Sequence, residues 1–204
     1  MIKTIIFDFG DVFINLDKPA IIRELKKLGV PFINSEMYAI AGKYEKGQIT
    51  TKHLLQSFNT MFPHISKDEF SKAWNSIILD FPNHRLEFIE QLSNEKKHTL
   101  ILLSNTNELH IQQVVKNMSL TNYNRFKNCF DKFYLSHEIQ LSKPNLDVYE
   151  FVLNENNLKA KECLFIDDTK ENTDAAALLG VNVWNNIPKT EDIIDLFTIK
   201  KDLF

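Results

Sequence analysis

Four groups of polar residues in this sequence follow short apolar runs, at the points where buried strands are predicted to end. The groups are Asp8 with Asp11, Ser104 with Asn105, Lys143 ahead of a proline, and Asp167 with Asp168. Ligands bind at the carboxyl ends of the strands in open parallel sheets. We therefore expect all four groups to meet at one edge of a sheet.

This predicted cluster of carboxylates suits a divalent cation. Neighbouring carboxylates raise one another's pKa, and a bound cation removes that penalty. The oxygens of Asp8, Asp167 and Asp168 are hard ligands that favour Mg²⁺. Lys143 and nearby backbone N–H groups would hold phosphate oxygens. The set predicts phosphoryl transfer, with an aspartate as nucleophile and the metal and lysine neutralising charge.

The elements that must position these residues indicate an α/β domain with a parallel sheet. Apolar runs without alternation are typical of buried parallel strands. The predicted strands are Thr4–Phe9, His98–Leu103, Lys132–Leu135, Cys163–Ile166 and Val181–Trp184. Helical patterns cover Leu86–Asn94, Glu108–Met118, Leu146–Leu153 and Thr173–Leu179. Gly180 is placed to end the last helix.

The segment from Pro19 to about Asn83 breaks the strand–helix rhythm, because its apolar spacing is helical throughout. It predicts roughly four short helices inserted between the first two strands. We therefore assign 1–15 and 84–204 to the α/β core and 16–83 to a helical cap subdomain. Glu45, Lys46 and Gly47 lie between two cap helices. They form either a solvated loop or a loop that reaches over the active site, with Lys46 near the substrate.

Composition narrows the class of protein. The 204 residues are 44% apolar and 25% charged with a net charge of -3, which is ordinary for a soluble globular protein and gives no indication of a nucleic-acid partner. We expect no signal peptide or membrane helix, and hence a cytoplasmic monomer or small homo-oligomer. Cys129 and Cys163 are interpreted as small buried apolar residues, and the scattered histidines argue against a zinc site.

Four segments resemble, in order and separation, the motifs of the haloacid dehalogenase-like (HAD) hydrolase superfamily. They are "IIFDFGDVF", "ILLSNTN", "LSKPNLDVYEFVL" and "LFIDDTKEN". The helical insert resembles the helical-cap branch, and "FDFGDVFINLD" with "YEKGQI" is most similar to the sugar-phosphate phosphatases that include bacterial glucose-1-phosphate phosphatases. The resemblance implies a Rossmann-like parallel sheet with helices on both faces, plus a helical-bundle cap.

The resemblance also implies a role for each matching residue. Asp8 matches the nucleophile that forms an aspartyl phosphate, and the carbonyl of Gly10 matches a Mg²⁺ ligand. The remaining matches are Ser104 and Asn105 as phosphate binders, Lys143 as the lysine that steadies nucleophile and phosphate, Asp167 and Asp168 as the acidic pair at the metal, and Asn172 as an asparagine that supports the site. Asp168 is the firmer ligand of the pair, and Asp167 is able to act through water.

Gly10 departs from the usual pattern of this superfamily. Most of its phosphatases carry a second aspartate there, two residues after the nucleophile, which protonates the leaving oxygen and later activates water. Asp11 is one residue further on, where an extended backbone would point its side chain elsewhere. A flexible Gly10 would allow Asp11 to serve as the acid/base. The branch that this chain resembles tends to carry glycine there and still contains phosphatases.

These features predict a Mg²⁺-dependent phosphatase that hydrolyses a small phosphorylated metabolite through an aspartyl-phosphate intermediate on Asp8. A sugar phosphate is the favoured class of substrate. The main alternative is a phosphate-binding or regulatory protein whose turnover is weak because of Gly10. A 2-haloacid dehalogenase needs no metal, so the Asp167–Asp168 pair argues against it. A phosphomutase needs proton transfer in both half-reactions, so Gly10 argues against that reading.

Overall fold

The fold is built on a parallel sheet whose strands follow the order β3-β2-β1-β4-β5. The computed structural model describes all 204 residues. The strands are β1 (Thr4–Phe7), β2 (Thr99–Ser104), β3 (Lys132–Leu135), β4 (Cys163–Asp167) and β5 (Asn182–Asn185). The chain builds outward from β1 to β3 and then crosses to β4 on the other side of β1. This reversal creates a crevice at the carboxyl end of β1, where such sheets bind ligands.

Eleven α-helices accompany the sheet. They are α1 (Ala20–Lys27), α2 (Ser35–Glu45), α3 (Thr51–Met61), α4 (Lys67–Asn75), α5 (Asn83–Glu95), α6 (Glu108–Met118), α7 (Leu120–Lys127), α8 (Ser136–Ile139), α9 (Leu146–Glu155), α10 (Lys170–Leu178) and α11 (Leu196–Ile199). Three short 3₁₀ helices cover Ala160–Glu162, Ile193–Asp195 and Lys201–Leu203. No helix has both the length and the apolar character needed to cross a membrane.

Helices cover both faces of the sheet, because alternate strand residues point to opposite sides. Ile5 and Phe7 join a buried cluster that includes residues of α5 and α7. Ile6, between them, joins a second cluster with residues of α9 and α10. The predicted α/β fold with helices on both faces is therefore confirmed.

The predicted elements agree with the structure to within a few residues at most ends. The third strand and α6 have the predicted bounds. The first strand was predicted to reach Phe9 but ends at Phe7, because the carbonyl of Phe9 accepts hydrogen bonds from Phe13 and Ile14 and the chain turns there. Helices α7, α8 and α11 were not predicted. Gly180 adopts a φ of +81° two residues beyond the end of α10, as expected for a glycine that ends a helix.

Helices α1 to α4 pack around a third apolar cluster, which also includes Leu109 of α6 and in which the rings of Phe58 and Phe70 stack with centroids 4.2 Å apart. Side chains cap three of these helices by accepting backbone hydrogen bonds, namely Asn34 at α2, Thr50 at α3 and Ser66 at α4. The segments that enter and leave the helical region pair with each other through 15–17 and 77–80. The division at 16 and 83 stays a prediction from the sequence.

Candidate active site

Three predicted carboxylates meet at the carboxyl ends of β1 and β4. The backbone N–H of Asp8 donates to the carbonyl of Ile166 at 2.8 Å, which sets Asp8 level with the end of β4. One carboxylate oxygen from each of Asp8, Asp167 and Asp168 lies within 4.8 Å of the others. This spacing allows all three residues to face a single cation.

Lys143 joins two of these carboxylates. Its Nζ donates to Asp8 Oδ1 and to Asp167 Oδ2, each at 2.6 Å, and its side chain is only 1% exposed. Asn105 holds the backbone of this lysine: its Oδ1 accepts from Lys143 N at 3.0 Å and its Nδ2 donates to Lys143 O at 2.8 Å. Both polar atoms of Asn105 are thus engaged with Lys143, and its predicted contact with phosphate stays a prediction.

The carboxylate of Asp167 is saturated with protein donors. Its Oδ1 accepts from Thr169 N at 2.8 Å, and Asn172 Nδ2 reaches both oxygens at 3.1 and 3.0 Å. The hydroxyl of Tyr149 donates to the carbonyl of Asn172 at 2.8 Å and fixes it in turn. Asn172 therefore supports the site through Asp167, and Asp168 is the member of the pair with fewer protein contacts.

The electrostatics show an excess of negative charge at this edge. Burial raises the pKa of Asp8 to about 7, with Asp167 adding to the rise and Lys143 opposing it. Burial also raises the pKa of Asp168, against the influence of Lys18. Burial is the main cause of both shifts, and a divalent cation bound here would oppose them by stabilising the ionised carboxylates.

Lys18 contacts the site although no sequence motif marks it. Its Nζ donates to Asp168 and lies 3.4 Å from Asp11 Oδ2. Lys18 stands in the segment that leads from the core into α1, and its contact with Asp168 spans 150 residues. No motif spacing marks such a residue, so only the folded chain reveals it.

Asp11 and Gly10 have different surroundings. Asp11 adopts a left-handed φ of 53°, and its Oδ1 accepts from Leu16 N at 3.0 Å. The carbonyl of Gly10 accepts no hydrogen bond from the protein, which leaves it free for a ligand. A Cβ at position 10 would lie 2.7 Å from Leu16 Cδ1. The side chain of Leu16 thus occupies the space beside the missing acid/base.

The hydroxyl of Ser104, the predicted phosphate binder, has no protein partner and is free to donate or accept a hydrogen bond. Ser104 is the last residue of β2, is 3% exposed, and its hydroxyl makes no hydrogen bond to the protein. Asn107 accepts a hydrogen bond from His110 N at 3.1 Å and caps α6. Cys129 and Cys163 are buried and free, as predicted.

The loop between α2 and α3 touches the core beside this edge. Ser136 Oγ donates to the carbonyl of Glu45 at 2.7 Å and also accepts from Thr106 N at 2.9 Å, one residue after Asn105. Gly47 packs so closely that a Cβ there would lie 1.9 Å from the carbonyl oxygen of His137. Lys46 is half-buried and makes no ion pair, so its predicted contact with substrate stays a prediction.

Comparisons with known proteins agree with this architecture. A family model described as "haloacid dehalogenase-like hydrolase" matches residues 5–185. A D-ribitol-5-phosphate phosphatase of Bacteroides thetaiotaomicron is 24% identical over 186 residues, which cover 88% of this chain and 89% of that protein.

Solved structures are similar over nearly the whole chain. A HAD family enzyme from Bacteroides thetaiotaomicron, crystallised with magnesium and inorganic phosphate, is 32% identical with a TM-score of 0.83, covering 97% of this chain and 100% of that chain. A HAD-like family hydrolase from Porphyromonas gingivalis is 24% identical with a TM-score of 0.80, covering 98% of this chain and 97% of that chain. The chain belongs to the haloacid dehalogenase-like hydrolase family.

Proposed function

We propose that this protein is a Mg²⁺-dependent phosphatase that hydrolyses a small phosphorylated metabolite, with a sugar phosphate or sugar-alcohol phosphate as the preferred class. The observation that carries the proposal is the buried Lys143 ammonium held between Asp8 and Asp167, with Asp168 alongside. The phosphatase and the magnesium- and phosphate-bound enzyme among its relatives support the same reading.

The residues present fit a magnesium ion. Asp8, Asp168 and the unbonded carbonyl of Gly10 would hold it, and Asp167 would act through a water molecule because its own oxygens already accept protein hydrogen bonds. When bound, the ion would neutralise charge on the phosphate oxygens. The raised pKa values of Asp8 and Asp168 fit this assignment, since a cation would restore their ionised forms.

The chain's own residues would then perform the following tasks. An Asp8 carboxylate oxygen attacks phosphorus and becomes an aspartyl phosphate, while Lys143 orients Asp8 and balances charge. The hydroxyl of Ser104 is placed to bind a phosphate oxygen. The helical cap, anchored beside the site through Glu45 and Gly47, restricts the size of the substrate and the access of water.

The direct test replaces Asp8 with Asn and measures phosphate release from a panel of phosphorylated metabolites. We expect turnover by the wild type in Mg²⁺, none in EDTA and none by the Asp8→Asn variant, which keeps the shape of the side chain. Phosphatase activity retained by Asp8→Asn would contradict the mechanism. Hydrolysis of 2-haloacids that survives EDTA would instead favour the dehalogenase reading.

A second candidate is a phosphate-binding or regulatory protein with weak turnover. The glycine at position 10 favours it, because the usual acid/base has no side chain there. The same panel distinguishes the two: binding without phosphate release in Mg²⁺ would support this second reading.

A further inference from the structure

The proposed phosphatase reaction needs a proton donor, and neither Gly10 nor Asp11 is well placed to provide the proton. Gly10 has no side chain, and Leu16 occupies the space beside it. Asp11 Oδ1 accepts a hydrogen bond from Leu16 N, and its Oδ2 lies 3.4 Å from Lys18 Nζ, so both carboxylate oxygens already have protein partners. An alkoxide leaving group nevertheless needs a proton as its bond to phosphorus breaks.

Glu45 is an acidic residue at the point where the helical insert contacts the core beside the active site. It is the last residue of α2, and its carbonyl accepts from Ser136 Oγ at 2.7 Å. Ser136 also bonds the backbone of Thr106, next to the loop that holds Lys143. The hydroxyl of Ser136 thus links the backbone of Glu45 to the backbone of Thr106, which follows β2 in the core.

The carboxyl group of Glu45 is half-buried and has no committed partner. It makes no ion pair within 4 Å and no hydrogen bond to the protein. The positive charges of Lys143 and Lys46 are close enough to lower its pKa. On the neighbouring α8, His137 and Glu138 are the titratable residues, and the carbonyl of His137 packs against Gly47.

Burial raises the pKa of Glu45, and Lys143 and Lys46 only partly oppose the rise. A raised pKa increases the fraction of the carboxyl that is protonated near neutral pH. Asp8 and Asp168 also have raised pKa values, but their carboxylates bond Lys143 and Lys18, whereas the carboxyl group of Glu45 has no protein partner.

We propose that Glu45, on the tip of the cap, is the general acid and base that replaces the aspartate missing at position 10, an inference that rests on the proposed phosphatase function. Asp8 attacks phosphorus, the bond from phosphorus to the leaving oxygen breaks, and that oxygen takes the proton of Glu45 to leave as an alcohol. The resulting Glu45 carboxylate takes a proton from the water that attacks the aspartyl phosphate. Phosphate and free Asp8 are released, and Glu45 is protonated again.

The test compares substrates whose leaving groups differ in their need for a proton. 4-Nitrophenyl phosphate releases a stable phenolate, whereas D-ribitol 5-phosphate, or the best alkyl phosphate of the panel, releases an alkoxide unless it is protonated. We expect Glu45→Gln to lower kcat/KM for the alkyl phosphate about 10²- to 10⁴-fold and for 4-nitrophenyl phosphate by much less. The fall of kcat/KM at high pH, where the wild-type acid is deprotonated, should also disappear for the alkyl phosphate.

Glu36→Gln is the matched control, because it makes the same substitution in the exposed first turn of α2. It should leave the ratio of the two rates unchanged. Equal losses on both substrates in Glu45→Gln would overturn the proposal and assign Glu45 a binding role, and wild-type rates on both would also overturn it. A selective loss in Asp11→Asn, with none in Glu45→Gln, would assign the proton to Asp11.

The outcome is separable from that of the proposed function. If the wild type releases no phosphate from either compound, or if Asp8→Asn retains turnover, the phosphatase mechanism itself fails. If Asp8→Asn is inactive and Glu45→Gln treats both substrates alike, only the role of Glu45 is wrong.

Discussion

Replacing Lys143 with Met should destabilise the metal-free protein by an amount that depends on pH. The ammonium group is 1% exposed and lies 2.6 Å from a carboxylate oxygen of both Asp8 and Asp167. Removing one partner of a buried ion pair costs about 3–5 kcal/mol, because an uncompensated charge stays buried. Methionine fills a similar volume, so the loss should arise from charge rather than from a cavity.

The dependence on pH follows from the carboxylates left behind. Lys143 lowers the pKa of Asp8, so its removal raises that pKa further above the unfolded value. When the pKa of a carboxyl group is higher in the folded than in the unfolded state, the free energy of unfolding falls as pH rises from the unfolded pKa through the folded pKa. The loss of free energy of unfolding in Lys143→Met, relative to the wild type, should therefore be larger at pH 8 than at pH 5. Mg²⁺ at a hundred times its dissociation constant should restore about 2.7 kcal/mol.

The assay is urea unfolding followed by circular dichroism in EDTA at pH 5 and pH 8, and again at pH 8 in Mg²⁺. Lys170→Met is the matched control, since Lys170 also bonds a carboxylate at 2.6 Å but with a side chain that is 71% exposed. It should change the free energy of unfolding very little. The electrostatic reasoning would be refuted if Lys143→Met lost as little free energy of unfolding as the control, or if its loss were the same at both pH values.

Three further predictions concern the surroundings of the site. Lys18→Met should raise the affinity for Mg²⁺ several-fold in isothermal titration without substrate, because Lys18 competes for Asp168; an unchanged affinity would contradict this. Gly47→Ala should destabilise the protein by about 1–3 kcal/mol in urea and lower kcat/KM, since φ is +63° and the new Cβ meets the His137 carbonyl; wild-type stability would show that the loop is free to move. Burial lowers the pKa of His110 from 6.5 to about 4, so its neutral form adds stability above pH 6.5 that is lost as pH falls towards 4. This loss should reach about 2 kcal/mol at pH 5 relative to a His110→Gln variant, and parallel pH profiles would contradict it.

The sequence predicted the sheet and most of the carboxylate cluster because both depend on local signals. Buried parallel strands are short apolar runs, and polar residues directly after them stand at the edge where such sheets bind ligands. Asp8, Asp167 and Asp168 could therefore be placed together before the fold was known. Helix α7 was missed because its buried residues are few, with Tyr123 and Phe126 as the main apolar contacts.

Contacts between distant segments could not be predicted in the same way. Lys18 stands in the segment between β1 and α1 and contacts Asp168, 150 residues away, only in the folded chain. The hydrogen bonds between the side chain of Asn105 and the backbone of Lys143, 38 residues away, were not predicted either. Such pairings depend on the register of loops, for which one sequence offers no periodic signal.

The glycine at position 10 bears on whether the reaction depends on the contact between the cap and the core. An aspartate at that position would belong to the core and would be present whether or not the cap covers the site. If Glu45 supplies the proton instead, the nucleophile and the cation site stand on the core while the acid stands on the cap. Alkyl phosphates would then be cleaved only when the loop of Glu45 is docked on Ser136. The same requirement would make the rate on alkyl phosphates, but not on 4-nitrophenyl phosphate, sensitive to changes at the Ser136 contact.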